Sequence, residues 1–241
     1  MPGYWSGCGK RTAEEEQVEA KGRTAEIMID EARKAFWVMV GFLALIWALH
    51  IPNALSGYAL AYEHGRVARD LSSLPDIVSA PFLHWSWEHL QGNSGPLFIF
   101  GFLAAYRGVA KFLGVTGFII AVSGLGAWLT VEGGTTSAGA SSVLFGYFGY
   151  VLVRGLFDRN TVDIVVGVVM ALCFAHHFAG LLPQEGIGWQ SHLFGFLAGL
   201  VGGWIFRERR RAKAPAAPRD SRSALLKELD DLGLGQDGPA R

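Results

Sequence analysis

The chain has 241 residues, of which 51% are hydrophobic and only 17% charged. Its 21 Lys and Arg balance 21 Asp and Glu, so net charge offers no pull on nucleic acid and no nucleic-acid partner is expected. The apolar residues come in runs rather than at the spacing of soluble amphipathic elements, which excludes an ordinary soluble domain and predicts an all-α, polytopic membrane protein.

Residues 1–31 are a polar, Glu-rich lead-in without the apolar core of roughly 7–15 residues that a cleavable signal peptide needs, so none is expected. Residues 25–36 read as helical and run directly into the first apolar stretch. A bilayer core of roughly 30 Å takes about 20 apolar residues at about 1.5 Å each. Six stretches approach that length: 35–51, 89–106, 112–131, 140–156, 162–182 and 189–206. The prediction is therefore six spans, with residues 1–34 as a cytoplasmic segment, 35–206 as the membrane domain and 207–241 as a cytoplasmic tail.

The connections carry their charges unevenly. Arg33 and Lys34 precede the first span, Arg107 and Lys111 separate the second from the third, and Arg154 and Arg159 mark the end of the fourth and its connection to the fifth. Arg207, Arg209, Arg210, Arg211 and Lys213 follow the sixth, while the opposite connections 132–136 and 183–188 contain neither Lys nor Arg. By the positive-inside rule both termini are cytoplasmic, in a cell membrane, and the long loop 52–88 is outside. Within that loop, residues 58–71 suggest a short helix, and Phe82, Trp85 and Trp87 suit headgroup depth. Beyond the last span, residues 221–232 suit a short amphipathic helix and 233–241 a flexible tail. Cys8 falls on the cytoplasmic side and Cys173 within a span, so no disulfide between them is expected.

Three motifs place polar side chains where lipid-facing residues would otherwise stand: His84-Trp85-Ser86-Trp87-Glu88-His89-Leu90-Gln91-Gly92-Asn93, Gly139-Ala140-Ser141-Ser142, and Ser191-His192-Leu193-Phe194-Gly195. A desolvated polar group in a membrane is costly, so such residues point to function. The second span opens with Gln91, Gly92, Asn93, Ser94, Gly95 and Pro96, too polar for lipid, with a kink or loosening expected at Pro96. The fourth begins in loop chemistry, which places Ser141 near a helix N-terminus.

A serine hydroxyl becomes a nucleophile when a base takes its proton, and histidine titrates in the right range. Ser141 and His192 are the candidate pair, provided the fourth and sixth helices approach closely. Gly195, Gly199 and Gly203 on one, with Ser142, Gly146 and Gly149 on the other, form small-residue faces that permit this. Amide hydrolysis also needs donors toward the developing oxyanion. His89 and Asn93, four apart on one helical face, can donate, and the Ser141 N–H is a third candidate. No acidic residue in a span is placed to orient His192, so a dyad is expected rather than a triad, with Phe145 available to pack on the imidazole.

These residues resemble the rhomboid family of intramembrane serine proteases. The family's His-x4-His-Leu-x2-Asn pattern is matched by His84, His89, Leu90 and Asn93, its Gly-x-Ser-Gly motif by Gly139 and Ser141, and its histidine-and-glycine helix by His192, Gly195 and Gly199. The resemblance spans roughly residues 35–206 and implies a six-helix bundle, Ser141 as nucleophile, His192 as base, and His89 and Asn93 in the oxyanion hole. It implies transmembrane protein substrates, the lipid bilayer as surroundings, and no cofactor. Two positions depart: Ser142 stands where the family usually has glycine, and Phe194 replaces the first of two glycines after the histidine. Phe194 is bulky enough to alter the approach of the sixth helix or the fit of substrate. The runner-up reading is a non-catalytic relative that binds transmembrane clients; a transporter would favour charged or ion-coordinating residues inside the spans, where Asp163, near one end, stands alone among Asp and Glu. His176 and His177, adjacent and thus pointing in different directions, read as packing residues rather than metal ligands. His84 reads as a brace for the outer loop.

Overall fold

Each apolar stretch of the sequence is occupied by helix, because a chain without water must satisfy its N–H and C=O groups internally. A computed structural model describes residues 13–184, 186–208, 228, 229 and 231, with side chains at 22 and from 24 onward. Contacts divide the chain after Arg207, and the elements described here belong to the first unit. The expected helix at 221–232 (apart from 228, 229 and 231), the tail 233–241, Cys8 and Arg209–Arg211 lie outside the described residues.

The first helix, α1 (Ala13–Leu55), is one 43-residue element that joins the lead-in to the first apolar stretch and continues past Pro52. Gly57 and Tyr58, both at positive φ, then turn the chain. Buried Asn53 organises this corner: its Nδ2 donates to the His84 carbonyl at 2.8 Å and its Oδ1 accepts from Ala61 N–H at 3.0 Å. The long loop 52–88 differs from the expected helix at 58–71. Only α2 (Ala59–His64) forms, because the chain leaves helical geometry at Gly65 (ψ 148) and enters strand β1 (Arg66–Val67). A Cβ at Gly65 would lie 2.8 Å from the Thr136 side chain. A 3-10 turn (Leu71–Ser73), α3 (Asp76–Ser79) and a second 3-10 turn (Ala80–Phe82) complete the loop. Phe82 and Trp87 pack against α1 through Phe42 and His50, and Trp85 packs on Tyr62 of α2.

Helix α4 (Trp87–Ala105) is capped by Ser86, whose Oγ accepts from His89 N–H at 3.1 Å, and it stays continuous through Pro96. Then come α5 (Val109–Thr130), strand β2 (Thr136–Ser137) and α6 (Ser141–Asp158). β1 and β2 pair antiparallel with Arg66 opposite Ser137, tying the long loop to the segment entering α6. From Ser142 to Val151, α6 is buried on every side and forms the centre of the bundle. Its Tyr147 hydroxyl lies 2.6 Å from Thr116 Oγ1 of α5, which satisfies two polar groups in an apolar core.

Positive-φ Arg159 ends α6, and Asn160 caps α7 (Thr161–Cys173) by accepting from Val162 and Asp163 N–H groups. The apolar stretch at 162–182 is not one straight helix. Helical geometry stops at Phe174 (φ −112, ψ 27), and the 3-10 segment Ala175–Leu181 continues at 73° to α7. The last helix is α8 (Trp189–Ile205). Where α4, α6 and α7 meet, Asp163 holds Arg154 at 3.1 Å and also pairs with Arg107, while Arg154 donates to the Leu103 carbonyl. Among the described residues two helices, 24–55 and 109–130, are long and apolar enough to cross a membrane, and the bent pair is a third if counted as one span. The outward faces carry exposed Leu113, Leu129, Val162, Val165 and Leu172. The molecule is an all-α membrane protein, its short ribbon aside.

Candidate active site

The segment entering α6 needs a glycine for two separate reasons. Gly139 sits at φ +142, a conformation side chains resist, and a Cβ there would lie 2.6 Å from the His89 ring. Its N–H donates to the Ala80 carbonyl at 2.9 Å. The next N–H, that of Ala140, donates to His84 Nε2 at 3.3 Å. His84 is thus more than a brace for the outer loop, since it also fixes the start of α6. Burial pushes its pKa down to about 3, which keeps the ring neutral and its Nε2 lone pair available. Ser141 follows as the first residue of α6, where a backbone N–H has no carbonyl a turn earlier to meet.

Ser141 Oγ lies 2.9 Å from Nε2 of His192. The other ring nitrogen, Nδ1, lies 3.0 Å from the carbonyl oxygen of Gly180. A carbonyl only accepts, so Nδ1 carries the ring proton and Nε2 presents its lone pair to the serine hydroxyl. The bend after α7 supplies that carbonyl, in the place where a triad would put a carboxylate. Phe145, one turn into α6, stacks on the imidazole with centroids 4.5 Å apart and planes at 19°. A Cβ on Gly180 would lie 2.9 Å from the Phe145 ring, so glycine leaves room for that stack.

Close contact of α6 and α8 makes the pairing possible. A Cβ on Gly195 would overlap the Ser142 carbonyl, and one on Gly199 would lie 2.7 Å from Tyr150 N. Ser142 is small and buried at this crossing. Phe194 points elsewhere: its ring fills the space over Gly126 of α5, so its bulk does not part α6 from α8.

A cavity of about 730 Å³ opens beside the pair, lined by Ser141 and His192 with His89, Asn93, Arg66 and Gln190 among others. Asn93 is 8% exposed, and its Nδ2 has no hydrogen-bond partner among the described residues. His177 also borders the cavity, within reach of the Phe100, Phe145 and Phe148 rings, as a packing residue would be.

Two contributors escape inspection of the sequence. Gly180 acts through a backbone carbonyl, which leaves no mark in residue identity. Arg66 is only 5% exposed, and its Nη2 donates to Ser191 Oγ at 3.0 Å across 125 residues of chain. Burial pushes its pKa down to about 10. The signal available for it was a basic residue in a loop expected on the side otherwise poor in Lys and Arg.

The family model of the rhomboid domain matches residues 72–209. An uncharacterized protein of Mycobacterium tuberculosis is 33% identical over 208 residues, covering 80% of this chain and 86% of that protein. One from Mycobacterium leprae is 30% identical over 205 residues, covering 78% and 81%. Rhomboid-like protein 11, chloroplastic, of Arabidopsis thaliana is 26% identical over 203 residues, covering 78% of this chain and 69% of the plant protein.

Proposed function

The chain belongs to the rhomboid family, and from that premise we propose that it is an intramembrane serine endopeptidase that cuts transmembrane segments of other membrane proteins with a Ser141–His192 dyad. The observation that carries the reading is the 2.9 Å contact between Ser141 Oγ and His192 Nε2, with Nδ1 held by Gly180. His192 takes the Ser141 proton as Oγ attacks the scissile carbonyl carbon. The carbonyl oxygen becomes an oxyanion that His89, Asn93 Nδ2 and the Ser141 N–H stabilise, at roughly 3–4 kcal/mol per donor in enzymes where one has been removed. The tetrahedral intermediate then collapses, and imidazolium His192 gives its proton to the departing amine nitrogen. A water from the cavity, deprotonated by His192, hydrolyses the acyl-enzyme and restores Ser141. The unpartnered Asn93 Nδ2 supports the oxyanion role, because a buried donor without a partner is costly unless a ligand supplies one.

The six-span arrangement belongs to the same proposal. Residues 35–206 form the membrane domain between cytoplasmic segments 1–34 and 207–241, in a cell membrane, with the cavity opening to the outer side. The charge alternation of the connections supports this topology. Helices too polar to pass as lipid-facing spans, α4 above all, fit as spans shielded by neighbours. Purified protein incubated with a single-span reporter is expected to cleave it, and Ser141→Ala and His192→Ala are each expected to abolish cleavage. Equal cleavage by wild type and both variants would refute the mechanism.

A further inference from the structure

Arg66 is a charged group in the catalytic cavity that the dyad chemistry leaves without a task. β1 holds it opposite Ser137, four residues before Ser141, and its guanidinium lies against Ser191, next to His192. The side chain borders the same cavity as Ser141 and His192. Among the described residues its Nε has no partner, and no carboxylate forms an ion pair with it. Of the acidic residues flanking it on its own loop, Glu63 is exposed on α2 and Asp70 is occupied in capping Ser72. Arg154 shows the contrast: that guanidinium, equally buried, is matched by Asp163. A buried cation without an anion is expensive, and a planar fork of N–H donors is best satisfied by a carboxylate taken side-on.

We propose that Arg66 forms a subsite for an acidic side chain, Asp or Glu, of the transmembrane substrate, and thereby sets a sequence preference close to the cut. The proposal rests on reading this cavity as the peptide-binding site and names one chemical feature of what enters it. Ser191 and Gln190 border the cavity beside it and add hydrogen-bonding groups to the subsite. Even with its pKa lowered to about 10, the guanidinium stays charged at neutral pH. The incoming carboxylate supplies the missing counter-ion.

The test uses binding, so that it does not depend on turnover. Full-length Ser141→Ala protein in neutral detergent is titrated with single-span peptides whose C-termini are amidated. These carry Glu or Gln at successive positions through the outer half of the span and its flank. At one position the Glu peptide is expected to bind at least about tenfold more tightly than its Gln partner, the range of a charge-assisted hydrogen bond. Adding Arg66→Gln removes that ratio, and Arg66→Lys, which keeps charge but loses the fork, retains part of it. Equal binding of the Glu and Gln peptides at every position overturns the proposal, as does an Arg66→Gln loss that is the same for both. Glu185 lies outside the described residues, so Glu185→Gln is included. The ratio is expected to persist in it, and a ratio that arises only in that variant would mark an internal ion pair and overturn the proposal. Reporter cleavage by the wild type tests the protease reading separately, so the two can fail independently.

Discussion

Gly195→Ala is the most pointed perturbation of the α6–α8 crossing. The added Cβ would overlap the Ser142 carbonyl oxygen and stand 3.0 Å from its carbonyl carbon, where ordinary contact begins near 3.4 Å. The obstacle is backbone on both sides, so the helices must separate locally by about 1 Å. Ser142 adjoins Ser141, and His192 lies one turn before Gly195. The same shift would therefore stretch the 2.9 Å bond between Ser141 and His192 beyond hydrogen-bond range. A misplacement of that size costs about 100-fold in kcat. Overpacking should also remove about 1–3 kcal/mol of stability, although alanine is the better helix former by about 1 kcal/mol. The assay is reporter cleavage with a thermal melt on the same preparation. Gly117→Ala serves as control, because that glycine is exposed on α5 with nothing within 4 Å of an added Cβ. Full kcat in Gly195→Ala would refute the claim that glycine contact sets the dyad geometry.

Other perturbations separate chemistry from scaffold. Asn93→Ala is expected to lower kcat by about 100–1000-fold with KM little changed, as loss of a transition-state donor should, and an unchanged kcat would remove Asn93 from the oxyanion hole. His84 has a folded-state pKa near 3, below the ordinary 6.5. Its neutral form is compatible with both states above pH 6.5, but below it only the unfolded chain takes up the proton. Stability should then fall by about 1.4 kcal/mol per pH unit toward pH 3 from this residue alone, and His84→Gln should flatten the slope measured by melting at stepped pH. Asp163→Ala removes the carboxylate shared by Arg154 and Arg107 and should cost about 3–5 kcal/mol, read as a lowered unfolding midpoint.

Helix positions were legible because each apolar run is long enough to demand internal backbone pairing, whereas the breaks were not. Nothing in 162–182 announces the bend at Phe174, since no proline interrupts the segment. Yet that bend delivers the Gly180 carbonyl to His192. The shorter α2 reflects a pairing partner, β2, that lies about 70 residues further along the chain. Ser141, His192, His89 and Asn93 could be singled out because polar side chains in apolar runs are rare. Arg66 could not, because its significance depends on what it lacks in three dimensions. Phe194 read as an intrusion until Gly126, on another helix, accounted for its volume.

The central claim is that Ser141 is an activated nucleophile. A serine-directed fluorophosphonate added to the purified full-length protein, followed by mass spectrometry of the digested chain, tests this without a substrate. One adduct on Ser141 is predicted, absent in Ser141→Ala and strongly slowed in His192→Ala. An unmodified Ser141 in protein that still binds transmembrane peptides would contradict the account and favour a non-catalytic client-binding relative.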